Sequence, residues 1–394
     1  MEKTWRWFGP KDRITLPMLR QIGVEGIVTS LHDVPAGEVW TPEKVDEMTN
    51  FIAAAGLHWS VVESLPVSEA IKYGGPDAGR LIEGYIESLA SLGKAGVKTV
   101  CYNFMPVIDW IRTDLAKPWD DGTSSLYFDR ARFAYFDCRI LERAGAEADY
   151  TDAEMEAVKR LDRTITQAEK DDLIDSIIVK TQGFVHGNIK EGDKNPVAIF
   201  RRLLSLYDGI DRDALRENMR CFLSRIMPVC EEYGIGMCVH PDDPPVQVLG
   251  LPRIVTSAGD IEWILRAVDH PSNGLTFCAG SLSAGAHNDV VEMARRFAPR
   301  VKFVHLRSTE VLDNGNFIEA SHLAGRGHLI ELTRIFEKQG APALPMRIDH
   351  GRNMLGDAEG GYNPGYGFYG RMFALAQMDG VMATVRNEIN NDLI

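Results

Sequence analysis

Cys238-Val239-His240-Pro241-Asp242-Asp243-Pro244-Pro245 is an apolar run that breaks into a histidine, two aspartates and three prolines, the pattern of a buried strand opening into a polar loop. Ahead of it, Val229-Cys230-Glu231-Glu232-Tyr233-Gly234-Ile235-Gly236 reads as a helix end closed by glycine, so the local order is helix, turn, strand, functional loop. Three later stretches repeat the event: Leu275-Thr276-Phe277-Cys278-Ala279-Gly280, Val301-Lys302-Phe303-Val304-His305-Leu306-Arg307 and Leu344-Pro345-Met346-Arg347-Ile348-Asp349-His350-Gly351. Parallel strands bring their C-terminal ends to one face of a barrel or wound sheet. Four successive strand ends offering His240, Cys278, His305 and Asp349 therefore predict a metal site. One histidine or cysteine at a strand end is more often a satisfied core group; recurrence at four ends outweighs that.

The same alternation runs back to the N-terminus. Thr4-Trp5-Arg6-Trp7-Phe8 has strand character, and Leu16 to Gly23 reads as a short helix with a glycine stop. Gly26 to Leu31 is a second strand, followed by a helix that Thr41-Pro42 opens and Ala55-Gly56 closes. His58 to Ser64 is a third strand. Ile82, Ile86, Leu89 and Leu92 then mark one helix face before a fourth strand, Lys98 to Phe104. After an interruption come a helix striped by Leu215, Met219, Phe222, Leu223, Ile226 and Cys230, with Pro228 expected to kink it, and then the His240 strand. Further helices are expected from about Asp260 to Val268, Asp289 to Phe297, His328 to Lys338 and Arg371 to Asp379. Eight strand-then-helix units predict a (β/α)8 TIM barrel over residues 1–394, taken as a single domain, rather than an open doubly wound sheet.

The interruption, residues 105–210, reads as an insertion covering the barrel mouth. It holds a hairpin around Asp121-Gly122, then helices opened by two capping boxes, Thr151-x-x-Glu154 and Thr166-x-x-Glu169. With 45% hydrophobic and 25% charged residues the composition is that of a soluble globular protein, and a net charge of -13 with no basic run argues against a nucleic-acid partner. Six cysteines without a CxxC pair suggest neither a disulfide framework nor a zinc ribbon, and point to a reducing cytoplasm. The N-terminus lacks the apolar core of a signal peptide, and no apolar run approaches the ~20 residues of a membrane span, so no membrane partner is expected.

Two imidazoles, a thiolate and a carboxylate suit Zn²⁺ or Fe²⁺ through the sulfur and tolerate Mn²⁺. Structural zinc usually draws on ligand pairs close in sequence, so ligands on four separate strands favour catalysis. His350 and Tyr366 stand as the proton-transfer pair, with the sequence leaving open which is acid and which is base, Arg307 as a cation for a carboxylate, and Asn103 as a further substrate-binding residue. In a continuing strand His350 would point away from Asp349, unless Gly351 has already broken the pleat; Arg307 has the bland alternative of pairing with Asp242 or another local acid. His58, His186 and His270 are given no role. The glycines near Gly360 and Gly365 lack the strand-to-helix fingerprint of a dinucleotide site, and no nucleophile elbow or Walker loop occurs.

Thr4-Trp5-Arg6-Trp7-Phe8-Gly9-Pro10, Gly37-Glu38-Val39-Trp40, Cys101-Tyr102-Asn103-Phe104-Met105-Pro106-Val107, His240-Pro241-Asp242-Asp243-Pro244-Pro245, His305-Leu306-Arg307-Ser308 and Asp349-His350-Gly351 together resemble the bacterial mannonate dehydratases along essentially the full chain. The resemblance implies a xylose-isomerase-like metal-dependent barrel that converts D-mannonate to 2-keto-3-deoxy-D-gluconate in hexuronate breakdown. It further implies Mn²⁺ or Fe²⁺ on His240, Cys278, His305 and Asp349, with acid/base residues at His350 and Tyr366. Ile348 stands where relatives often have proline, and residues from about 180 to 193 look particular to this chain. An aldose-ketose isomerase or epimerase on the same barrel, or a non-catalytic sugar-acid-binding protein, are the competing expectations; a homo-oligomer is compatible with all three.

Overall fold

The computed structural model describes residues 1–183, 189, 192–340 and 344–391; His186 and half of 180–193 lie outside the described residues. Twelve strands occur among the described residues: β1 (Glu2–Arg6), β2 (Gly26–Thr29), β3 (His58–Glu63), β4 (Thr99–Tyr102), β5 (Asp114–Pro118), β6 (Ser124–Phe128), β7 (Gly236–Val239), β8 (Asn273–Cys278), β9 (Val301–Leu306), β10 (Thr309–Val311), β11 (Phe317–Glu319) and β12 (Pro345–Ile348). Eight of them close a parallel barrel in the order β1-β12-β9-β8-β7-β4-β3-β2. These are the eight strands expected from the sequence. A strand with a filled lumen inside and helices outside must be apolar on both faces, and β8 is buried at all six positions. Val28, Val61, Cys101, Cys238 and Phe303 fill the lumen as a separate cluster, while the larger apolar layer lies between barrel and helices.

Register then fixes which side chains meet at the C-terminal mouth. Cys278 of β8 sits opposite His305 of β9, and Arg347 of β12 is paired with that same His305. On the other side, the His240 amide extends β7 by donating to the Tyr102 carbonyl (2.8 Å).

The interrupting segment is built as its local signals indicate. β5 and β6 form the hairpin, with Gly122 at φ +81° and Asp121 Oδ1 accepting from the Thr123 amide (3.0 Å). Both capping boxes are present, at the N-termini of helices Asp152–Thr164 and Gln167–Ile174. The sequence reading missed β10 and β11. β10 pairs with β11 and β11 with β6, giving a four-stranded sheet in the order β10-β11-β6-β5 that joins the segment to the loop after β9. Asn314-Gly315, flanked by short apolar runs, is the turn signal that marks this hairpin.

Helix Arg212–Tyr233 carries Pro228 in its interior and ends at a Gly234 C-cap at φ +65°. One helix differs from expectation. The last helix runs Phe368–Asn390 rather than stopping near Asp379: Gly380 looks like a stop, but the helix continues past it because Met382 and Val385 bury against the core.

Candidate metal and catalytic site

Three of the four expected ligands converge. One donor atom each from His240, Cys278 and His305 lies within 4.8 Å of the others, with His240 Nε2 3.2 Å from His305 Nδ1. Asp349 follows β12 directly and places Oδ2 3.7 Å from Cys278 Sγ and 3.8 Å from His305 Nδ1. Ligand atoms bound about 2.0–2.3 Å from one ion stand roughly 3–4 Å apart, so these separations fit a single cation. Asp349 is outside the tight trio and is also ion-paired, to Arg347 Nη1 through Oδ1 (2.5 Å) and to Arg307 Nε through Oδ2 (3.1 Å).

The electrostatics suit a cation. Burial opposes the charge of Asp349, yet Arg347, His350 and Arg307 hold its pKa well below the carboxylate range. Burial and Arg347 push His305 well below its ordinary value, leaving a neutral imidazole with a lone pair to offer. Burial also opposes charge on His240, but the adjacent Cys278 sulfur raises its pKa to about 10. A proton held on the His240 imidazole is what a divalent ion displaces on binding.

Around the trio lies a shell of buried charge that the sequence reading missed. Arg307 donates to Asp243 Oδ2 (2.7 Å), Glu319 Oε1 (2.6 Å) and Ser281 Oγ (2.9 Å). Gly280 lets it approach, because a Cβ at that position would collide with the guanidinium. Arg112, contributed by the interrupting segment, donates to the same two acids, at 2.8 and 3.2 Å to Asp243 and 2.6 Å to Glu319. Of the local acids suggested as partners of Arg307, Asp243 takes the pairing, while Asp242 holds Arg253 (3.1 Å) and the Val255 amide (2.8 Å). Arg347 engages Glu63 through two nitrogens (2.9 and 3.0 Å) and points Nε at His305 Nε2 (3.1 Å). Strand alternation already placed Arg347 on the face of Asp349 two residues on, and Glu63 is an acid at a strand end; both were readable.

His350 and Tyr366 meet beside this cluster. β12 ends at Ile348, so Asp349 and His350 lie beyond the pleat and both line the cavity. His350 Nδ1 faces Arg307 Nη1 (2.8 Å) and Glu319 Oε1 (3.2 Å), while Nε2 is 3.9 Å from Asp349 Oδ1. Its ring packs between Trp110 (4.9 Å) and Tyr366 (5.2 Å). Gly365, at φ +82°, carries the chain past the His350 ring, where a Cβ would stand 3.0 Å from its Cδ2. Arg371 then fixes the Tyr366 loop to the end of β1, donating to the carbonyls of Tyr366 (2.9 Å) and Arg6 (3.2 Å). Asn103 lines the same cavity and donates to Asp109 Oδ2 (2.8 Å). Burial lowers the His350 pKa, with Arg307 adding to it, and raises that of Tyr366 well above 10, so the imidazole is unprotonated and the phenol protonated near neutrality.

An eight-stranded parallel barrel with a buried donor set at the carboxyl ends of its strands has the architecture of a metalloenzyme. The chain belongs to the D-mannonate dehydratase (UxuA) family, whose model matches residues 1–392. It is 44% identical over 394 residues to the mannonate dehydratase of Chromohalobacter salexigens, covering 98% of this chain and 99% of that one. The crystal structure of mannonate dehydratase from Streptococcus suis serotype 2 superposes with a TM-score of 0.77 at 31% identity, over 99% of this chain and 96% of that chain. A xylose isomerase domain protein from Planctomyces limnophilus shares the fold alone, with a TM-score of 0.50 at 9% identity over 99% and 98% of the two chains.

Proposed function

We propose that this protein is a metal-dependent hydro-lyase that converts D-mannonate to 2-keto-3-deoxy-D-gluconate and water in hexuronate catabolism. The observation that carries this is a cavity lined by His240, Asp349, His350 and Tyr366, with Cys278 and His305 grouped against His240, in a member of the D-mannonate dehydratase family. His240, Cys278, His305 and Asp349 hold Mn²⁺ or Fe²⁺. Among the described residues no helix is long and apolar enough to cross a membrane, and the cytoplasm is the compartment that keeps the thiol ligand reduced.

The C2 proton of a sugar acid is weakly acidic, so its removal needs a base, stabilisation of the charge that builds on the carboxylate, and an acid for the departing C3 hydroxyl. The bound ion supplies Lewis-acid stabilisation of that charge. His350 takes the C2 proton on Nε2, and Glu319, beside Nδ1, stabilises the resulting imidazolium. Tyr366 gives its proton to the C3 oxygen, which leaves as water. The enol so formed becomes the 2-keto acid by protonation at C3 as its own hydroxyl proton is lost. Transfer from imidazolium to phenolate then restores both residues. Trp110, over the His350 ring, and the interrupting segment that carries it close the cavity and limit water. Arg307 orients His350, and Asn103 offers an amide to the substrate.

Incubation with D-mannonate under reducing conditions with Mn²⁺ or Fe²⁺, and detection of the 2-keto-3-deoxy acid, tests this. Failure to form it, with ketose produced from an aldose instead, would identify an isomerase.

A further inference from the structure

Arg6 is the last residue of β1, and Trp5 before it faces outward onto Phe368 (ring centroids 6.2 Å apart), so strand alternation turns Arg6 into the barrel mouth. It lines the same cavity as His240, Asp349 and Tyr366. The side chain is only 8% exposed, and its Nη1 is buried without a hydrogen-bond partner. Among the described residues no carboxylate oxygen lies within 4.0 Å of its nitrogens, and the Phe8 ring centroid stands 5.1 Å from the guanidinium carbon. Glu63, the acid whose field reaches Arg6 most strongly, already has Arg347 on both oxygens. The other guanidiniums of the site each have carboxylate partners: Arg307 and Arg112 have Asp243 and Glu319, and Arg347 has Glu63 and Asp349.

A guanidinium remains charged at any physiological pH, and a buried charge without a counter-ion is costly. One cation kept in this condition beside a ligand set is poised for an anion from outside. The planar fork of arginine matches a carboxylate through two parallel hydrogen bonds. We infer that Arg6 binds the carboxylate of the sugar-acid substrate, an assignment that rests on the function proposed above. It has a consequence for selectivity, since a neutral aldose or polyol of the same length would leave Arg6 buried and unpaired. Arg6 thus favours acids over the neutral sugars that an isomerase on this barrel would take.

The test is steady-state kinetics on D-mannonate with Arg6→Met and Arg6→Lys, with bound metal and thermal midpoint measured on the same samples. The KM of Arg6→Met should rise at least about tenfold, the change that one charge-assisted hydrogen bond represents, and that of Arg6→Lys by less. Metal content should hold, and the midpoint should stay or rise, because an unpaired buried charge has been removed. Guanidinium ion added at low millimolar concentration to Arg6→Ala should restore part of the lost affinity. An unchanged KM would overturn the assignment, as would a KM rise that comes with lost metal and a lower midpoint, the signature of a structural residue. If Arg6→Met fails to fold, Arg6→Lys with the same readouts decides. If the wild type forms no keto acid, the proposed function fails separately, and calorimetric titration of wild type and Arg6→Lys with D-mannonate still tests carboxylate recognition: equal affinities overturn it.

Discussion

Replacing Glu319 by glutamine keeps shape and removes one charge from the buried cluster. Glu319 Oε1 accepts from Arg112 (2.6 Å) and Arg307 (2.6 Å) and stands 3.2 Å from His350 Nδ1. Breaking a buried ion pair from one side costs about 3–5 kcal/mol. The lower end applies here, because Asp243 still holds both arginines, at 2.8 and 3.2 Å and at 2.7 Å, and the glutamine carbonyl still accepts one bond. About 3 kcal/mol spread over the unfolding entropy of a 394-residue chain lowers the thermal midpoint by roughly 3–4 °C. Turnover should fall about tenfold or more, since losing the carboxylate that supports imidazolium at His350 by even one pKa unit costs about 1.4 kcal/mol. Arg112→Met combined with Glu319→Gln removes the surplus positive charge and should recover part of the stability, giving a non-additive cycle with a coupling of roughly 1–3 kcal/mol. Calorimetry on the four proteins and kcat on D-mannonate read both effects. An unchanged midpoint in Glu319→Gln, or strict additivity in the cycle, would refute the buried-charge account of the shell.

Cys278→Ser should weaken metal retention at least about tenfold, measured as metal remaining after dialysis, because a hydroxyl replaces the softer thiolate. Tyr366→Phe and His350→Asn should each keep the metal and lower kcat roughly a hundredfold; near-normal turnover in Tyr366→Phe would remove the phenol from proton transfer. Burial pushes the pKa of His322 from 6.5 down to about 4. Between about pH 6.5 and pH 4 the unfolded chain therefore binds a proton that the folded chain does not, and stability falls as pH drops through that window by about 1.4 kcal/mol per unit from this residue. Urea midpoints measured across it should slope less in His322→Gln, and an equal slope contradicts this.

The fold and the strand ends that bring the candidate ligands together were readable because their signals are local. A strand end such as Phe277-Cys278-Ala279-Gly280 declares itself within a few residues, and repeating such ends eight times leaves a barrel as the closed solution. The part of the charged shell built on Arg112 was not readable for the opposite reason. Arg112 meets Asp243 across 131 positions and Glu319 across 207, and spacing carries no trace of pairs that only the closed barrel brings together. His350 lay in between: Gly351 hinted that the pleat had ended, but only the termination of β12 at Ile348 turns Asp349 and His350 toward one cavity.

The same long-range pairs bear on what the interrupting segment is. It is joined to the mouth at several independent points: Arg112 to the acids of the β7 and β11 regions, β6 to β11 in a shared sheet, Ser124 to Asn353 by paired backbone bonds of 3.1 and 2.7 Å, and Tyr207 to Glu69 (2.5 Å). Arg112 is fully buried, and Asp243 and Glu319 bind it and Arg307 together, so the acids that position Arg307 take half of their compensation from a residue outside the barrel strands. Without Arg112, two buried carboxylates would face one guanidinium, and His350 would lose the defined partner on its Nδ1 side. The segment therefore supplies a wall of the candidate site, and the buried acids at the barrel mouth depend on its Arg112 for electrical balance.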